Sequence, residues 1–165
     1  MFEGPLLLTP KINLTRFSSG KPSLDDWVRN HALAAHRGGS TRVFVVHDDD
    51  RQVIGLYALS AGSVAPEVAP ERVRKGQGNY PIPLALITRL GVDENFQGLG
   101  IGKALLKDAI LRVMEAAHEL GIRAIHTHAK DEDAKEFYVR FGFEQSPIHP
   151  LWMFLLMKDA RASLK

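Results

Sequence analysis

The stretch from Leu86 to Leu106 constrains the fold more than any other part of the chain. An apolar run, Leu86-Ile87-Thr88-Arg89-Leu90-Gly91-Val92, passes through the polar turn Asp93-Glu94-Asn95 and re-emerges, after glycines at 98, 100 and 102, as an amphipathic segment beginning Ile101-Gly102-Lys103-Ala104-Leu105-Leu106. This reads as a strand, a glycine loop and the start of a helix. Glycine accepts positive φ at little cost and leaves its amide unshielded by a Cβ. Amides opening a helix carry partial positive charge, so the loop suits an anion. The nucleotide-hydrolase loop needs Gly-x-x-x-x-Gly-Lys followed by Ser or Thr, and here Gly98 to Lys103 is too short and Ala104 follows. The dinucleotide fingerprint needs Gly-x-Gly-x-x-Gly opening the first βαβ unit, whereas this Gly-x-Gly-x-Gly lies past the middle of the chain. A bound phosphate or diphosphate remains, against a glycine turn that holds no ligand.

A length of 165 residues fits one domain, residues 1–165, with room for a core. The 45% hydrophobic and 24% charged composition is that of a soluble globular protein, and no apolar stretch approaches a membrane span. Met1-Phe2-Glu3-Gly4-Pro5 lacks the features of a secretion signal, so a cytoplasmic location is expected. The absence of cysteine removes disulfides, thiolate metal sites and cysteine nucleophiles. A net charge of +2 does not by itself announce nucleic-acid binding.

In chain order, Leu6–Leu8 and Ile12–Leu14, separated by Pro10, read as one broken or edge strand. Ser23, with Asp26 three residues on, is placed to cap a helix that carries Leu24, Trp27, Val28, His31 and Ala35 on one face and stops at Gly38-Gly39. Arg42–Val46 and Gln52–Ala61 form an antiparallel hairpin around the solvated turn Asp48-Asp49-Asp50. Residues 63–83 form a long connection with Arg72, Arg74 and Lys75, of the kind that is functional or mobile. A helix over residues 100–120 places Ile101, Leu105, Ala109, Val113 and Ala116 along one side, and Gly121 stops it. Ile122–Ala129 is a strand with His126 and His128 on one face. With no third ligand at a recognisable spacing, no metal is assigned to that pair. Asp131 caps a helix in which Ala134, Phe137, Tyr138 and Phe141 share a side, and Trp152–Met157 is the last strand. The order β, α, β, β, connection, β, α, β, α, β predicts an α/β or α+β layer with a mixed sheet.

That order, with Gln97-x-x-Gly100-x-Gly102 after the central strand and Ala134-x-x-Phe137-Tyr138-x-x-Phe141-Gly142-Phe143 near the end, resembles the GNAT superfamily of N-acetyltransferases over most of the chain. The resemblance implies a mixed, mostly antiparallel sheet flanked by helices, with a splayed central strand, and acetyl-coenzyme A as co-substrate. Leu90, Gly91 and Val92 would pair with the pantetheine arm. Gln97, Gly98, Leu99, Gly100, Ile101, Gly102 and Lys103 would hold the pyrophosphate, with Phe137 and Asp131 beside the cofactor; the family often has Asn where this chain has Asp131. Tyr138 stands at the family's general-acid position, and a phenol is suited to protonating a departing thiolate. Many relatives place a Glu on the central strand as base. This chain has Arg89 there and no acidic residue before Asp93, which favours an amine that arrives largely deprotonated, as an esterified α-amino group does.

More closely, the chain resembles the GNAT toxins of bacterial toxin–antitoxin pairs, which acetylate the amino acid on charged tRNA and halt translation. Leu24-Asp25-x-Trp27-Val28, Arg42-Val43-Phe44-Val45, Gly55-x-Tyr57-x-Leu59, Pro81-Ile82-Pro83, Leu86-Ile87-x-Arg89-Leu90-Gly91-Val92-Asp93 and Ala129-x-Asp131 with the Tyr138 segment carry this resemblance. It implies that Arg72, Arg74, Lys75 and Arg89, with Arg16 and Lys21, meet tRNA phosphates. It also implies an antitoxin partner with a ribbon-helix-helix part, no membrane, and room for a homodimer. The alternatives are an acetyltransferase of a small amine or protein N-terminus, and a non-catalytic coenzyme A-binding module.

Overall fold

The structure, a computed structural model, describes residues 1–165. Seven strands form one sheet in the order β1-β2-β3-β4-β5-β7-β6. They are β1 (Glu3–Leu7), β2 (Arg42–His47), β3 (Val53–Val64), β4 (Ile82–Val92), β5 (Ala124–His128), β6 (Glu144–Gln145) and β7 (Trp152–Leu156). The helices are α1 (Pro22–Asn30), α2 (Ala32–Gly38), α3 (Glu71–Arg74), α4 (Ile101–Ala116), α5 (Glu132–Arg140) and α6 (Met157–Ser163). Registered pairs are antiparallel except β4 with β5, which run parallel. The chain divides into two compact units, residues 1–60 with 88–109, and residues 61–87 with 110–165.

In the first unit, the expected hairpin is β2 with β3, in register from Arg42↔Leu59 to Val46↔Gly55. Both faces of β2 are buried, which is why its sequence is an unbroken apolar run. Val43 and Val45 join Leu8, Phe17, Leu24, Val28 and Ala32 in one core, while Phe44 stacks on Tyr57 at 5.1 Å. The Tyr57 hydroxyl donates to Asp108 of α4. At the turn, Asp48 Oδ1 accepts from the amides of Asp50 and Gln52, so that carboxylate closes the hairpin. The first apolar pieces are an edge strand, β1, followed by a single parallel bridge, Asn13↔Gln52.

The start of α1 corrects the sequence reading. The helix opens at Pro22, whose fixed φ suits a first turn, with Lys21 at the N-cap and no side-chain cap. Ser23 and Asp26 therefore do not form a capping box. The neighbouring Asp25 is the buried carboxylate, accepting from the Ser19 amide at 2.8 Å and its hydroxyl at 2.7 Å. The helix also breaks at His31 (φ −129°) before resuming as α2, which ends at left-handed Gly39.

In the second unit, the long connection is partly built. A 3₁₀ turn (Pro66–Val68) and α3 put Ala69 and Val73 into a core with Ile82, Leu84, Ala124, Phe154 and Leu156. The Arg123 guanidinium donates to the carbonyls of Val73, Arg72 and Lys75, satisfying acceptors that the end of so short a helix leaves open. Two elements went unanticipated: β6, only two residues long, and α6, which follows β7 without a turn. α4 ends at Ala116 rather than near residue 120, and its buried face is Leu105, Leu106, Ala109, Ile110 and Val113, with Ala116 exposed.

The β4–β5 ladder runs from Leu84↔Ala124 to Ile87↔Thr127, while β4 continues to Val92. The ladder thus stops where β5 ends, and β4 runs on beyond its last rung. Beyond Val92, Asp93 secures the chain in the first unit. Its amide donates to Ile54, and its carboxylate accepts from the amides of Ser18 (3.1 Å) and Asn95 (3.0 Å) at 6% exposure. Asp93→Ala leaves these amides without their acceptor, and urea unfolding should show a loss of about 2 kcal/mol, with Asp93→Asn losing less.

Candidate active site

In the first unit, the glycine loop joins β4 to α4. Gly98 (φ +82°) and Gly100 (φ +85°) lie in the left-handed region with open space where a Cβ would be. Only glycine takes that backbone without strain. Gly102 differs: it lies inside α4, so its φ is not what calls for glycine. The helical ladder starts with the Ala104 amide donating to the Gly100 carbonyl at 3.1 Å, which leaves the amides of Ile101, Gly102 and Lys103 in the unpaired first turn. Leu99 and Lys103 are exposed. The arrangement presents amides and a helix N-terminus to a negatively charged ligand.

Gln97 acts through its side chain. Its Nε2 donates to the carbonyls of Val92 and Ser19, each at 3.0 Å, which straps the loop to the end of β4. Leu90, Gly91 and Val92 are half-buried on β4. Gly91 has a packing reason to be glycine, since a Cβ there would lie 2.3 Å from Leu24 Cδ2. Arg89 is turned onto α1, with its guanidinium 4.9 Å from the Trp27 ring centroid and Nη1 donating to the Thr88 carbonyl.

In the second unit, Tyr138 lies on α5 at 6% exposure. Burial pushes its pKa above the ordinary phenol value, and a hydrogen bond with the Thr127 hydroxyl opposes that shift to a smaller degree. The phenol therefore keeps its proton through neutral pH. Phe137 meets Tyr138 edge-on at 5.3 Å, and Phe143 lies 5.3 Å away from Tyr138. Asp131 caps α5, with Oδ1 accepting from the Ala134 amide at 2.9 Å. A structural duty thus accounts for this residue at the position expected to touch cofactor.

Arg72 also departs from expectation. Its Nη1 meets Glu144 at 2.8 Å and Asp159 at 2.7 Å, and Nη2 meets the other oxygen of Asp159 at 3.1 Å. The pairing holds Asp159 below the usual carboxylate range and raises Arg72. β6 and α6, absent from the sequence reading, supply those carboxylates, so Arg72 is an ion-pair residue instead of an open phosphate contact. Arg74 and Lys75 are exposed.

His126 and His128 do share a face, with ring centroids 4.9 Å apart. His126 is buried against Phe154, its Nδ1 faces the Met153 carbonyl at 2.9 Å, and burial lowers its pKa to about 4. His128 stacks on Trp152 at 4.2 Å. Sequence reasoning passed over Thr127, although strand alternation sets it on the face opposite these histidines.

The acetyltransferase (GNAT) domain profile matches residues 39–145. A tRNA-acetylating toxin of Mycobacterium tuberculosis is 50% identical over 161 residues, covering 98% of this chain and 96% of the relative. A probable toxin TacT of Sinorhizobium fredii is 30% identical over 155 residues, covering 88% and 86%. Among solved structures, AtaT complexed with acetyl-methionyl-tRNAfMet aligns with a TM-score of 0.87 at 25% identity, over 100% of this chain and 99% of that one. AtaTR bound with AcCoA aligns with a TM-score of 0.83 at 26% identity, over 100% and 98%. The glycine loop and these matches together show that the chain belongs to the GNAT acetyltransferase family.

Proposed function

We propose that this chain, as one acetyltransferase domain, transfers the acetyl group of acetyl-coenzyme A to the α-amino group of the amino acid on charged tRNA, and so acts as a translation-blocking toxin. The observation that carries this reading is the 50% identity, along 98% of the chain, to a tRNA-acetylating toxin. A protein with this activity works in the cytoplasm and is held in check by a cognate antitoxin, for which the family suggests a ribbon-helix-helix part.

In this reading, the amides from Gly98 to Lys103 take the cofactor's diphosphate, with Lys103 adding charge. The edge of β4 from Leu90 to Val92, past the end of its ladder with β5, pairs with the pantetheine arm. Gln97 holds that loop through its side chain, and Phe137 lines the thioester end. The neutral amine attacks the thioester carbonyl, the C–S bond breaks with its electron pair on sulfur, the Tyr138 hydroxyl gives that sulfur its proton, and the nitrogen releases its own proton to solvent, from which the phenolate is reprotonated. An aminoacyl ester amine is mostly neutral near pH 8, so no strong base is required. Arg74, Lys75 and Arg89 meet phosphates of the acceptor end, and Arg72 is left to its carboxylates.

Labelled acetyl-coenzyme A offered with charged and deacylated tRNA should label the charged pool alone. Label in small amines or peptides, with none in charged tRNA, overturns the reading, and cofactor binding with no transfer to any amine points to the non-catalytic module. Tyr138→Phe should lower kcat by about 10²-fold or more while the KM for acetyl-coenzyme A stays within a factor of two, as steady-state kinetics would show. Replacing both Arg74 and Lys75 by Ala should weaken tRNA binding and flatten its salt dependence by about two phosphate contacts, measured by filter binding across a salt series.

A further inference from the structure

Within the first unit, α1 and β4 meet along a seam of two contacts. At Gly91 a Cβ would lie 2.3 Å from Leu24 Cδ2, so the helix comes close against the strand there. Residues 89 and 91 share a face of β4 by strand alternation, and residues 24 and 27 are neighbours on one side of α1. The second contact of the seam is Arg89 on Trp27, with the guanidinium carbon 4.9 Å from the ring centroid. Buried Leu24, Asp25 and Val28 fix the helix that carries Trp27, and Asp25 accepts from both the amide and the hydroxyl of Ser19.

Arg89 is half-buried and has no carboxylate partner; its hydrogen bond runs from Nη1 to the Thr88 carbonyl at 2.8 Å. A cation taken partly out of water ordinarily sits beside an anion, as Arg72 does with Glu144 and Asp159. Here a ring face and one carbonyl hold the guanidinium in place without neutralising it, and most of its N–H groups have no acceptor in the protein. A planar fork kept in position and charged matches a phosphate, to which arginine donates two parallel hydrogen bonds.

We infer that Trp27 is a positioning residue for RNA, holding Arg89 as an unneutralised cation for a phosphate of the acceptor end. This role rests on the charged-tRNA reading above and adds to it the residue through which Arg89 is aimed. A tryptophan that merely packs α1 on β4 would matter to stability and be indifferent to the presence of Arg89.

The test is a double-mutant cycle on the binding of deacylated tRNA, measured by filter binding at one fixed salt concentration. Arg89→Ala should raise Kd about tenfold, and Trp27→Leu, which stays apolar and removes the ring, about fivefold. In the Arg89→Ala background, Trp27→Leu should change Kd by less than about twofold, because no guanidinium is left to hold. Trp27→Phe, which keeps a ring face, should stay within about twofold of wild type. In turnover, Trp27→Leu should raise the KM for charged tRNA while that for acetyl-coenzyme A stays within about a factor of two. If Trp27→Leu does not fold, Trp27→Met, also apolar and without a ring, takes its place with the same expected values. Additive effects in the cycle, or a Trp27→Phe protein as weak as the leucine variant, overturn the inference, as does a wild type that binds no tRNA. Should wild type bind deacylated tRNA but acetylate no charged tRNA, the proposed reaction falls, while the cycle still decides the role of Trp27.

Discussion

The end of the β4–β5 ladder at Ile87↔Thr127, beyond which β4 runs on to Val92, is the constraint on which the rest depends. Peptide groups withdrawn from water need partners, so a strand cannot leave its neighbour inside a sheet without some substitute. At the rung where the ladder stops, the Thr127 hydroxyl takes the Ile87 carbonyl. At the far end of β4, the Gln97 side chain takes the Val92 carbonyl and Asp93 ties the chain to Ser18 and Ile54. Both ends of the released segment are fixed, and its course is not left to a ligand. In the proposed reaction, the pantetheine arm then meets an edge already formed.

The glycine loop follows from the same arrangement. Asp93 opens a 3₁₀ turn, Gln97 straps it down, and Gly98 and Gly100 use left-handed backbone to bring the first amides of α4 out of that turn. In the proposed function, the loop's hold on the diphosphate comes from backbone direction and the helix terminus more than from charged side chains, of which Lys103 is the one in the loop. That economy fits a family whose cofactor keeps its diphosphate while acceptors differ.

The basic residues of the connection show why charge in a sequence is a weak guide to ligands. Arg72, Arg74 and Lys75 are close neighbours with the same formal charge. One makes a two-pronged contact with Asp159 and a further one with Glu144, while the other two stand exposed. The carboxylates that separate them lie 72 and 87 residues along the chain from Arg72. No local pattern reports that distance.

By itself the sequence determined what depends on local geometry: the β2–β3 hairpin, the Asp131 cap, the glycine loop opening α4, and a tyrosine on the following helix. Turns, caps and periodic apolar faces are written within a few residues, and the quoted motifs were enough to place the chain in its family. The tertiary structure decided what depends on distant partners. It moved the first helix start to Pro22, because a proline that can begin a helix outranks a serine that can cap one, and it broke that helix at His31. It gave Gly91 a reason in Leu24 and committed Arg72 to two carboxylates on elements too short or too abrupt to read. It also set the Thr127 hydroxyl on the Ile87 carbonyl, a contact that exists only once a parallel strand pair has formed, because a hydroxyl's partner is fixed by packing and not by its neighbours in the chain.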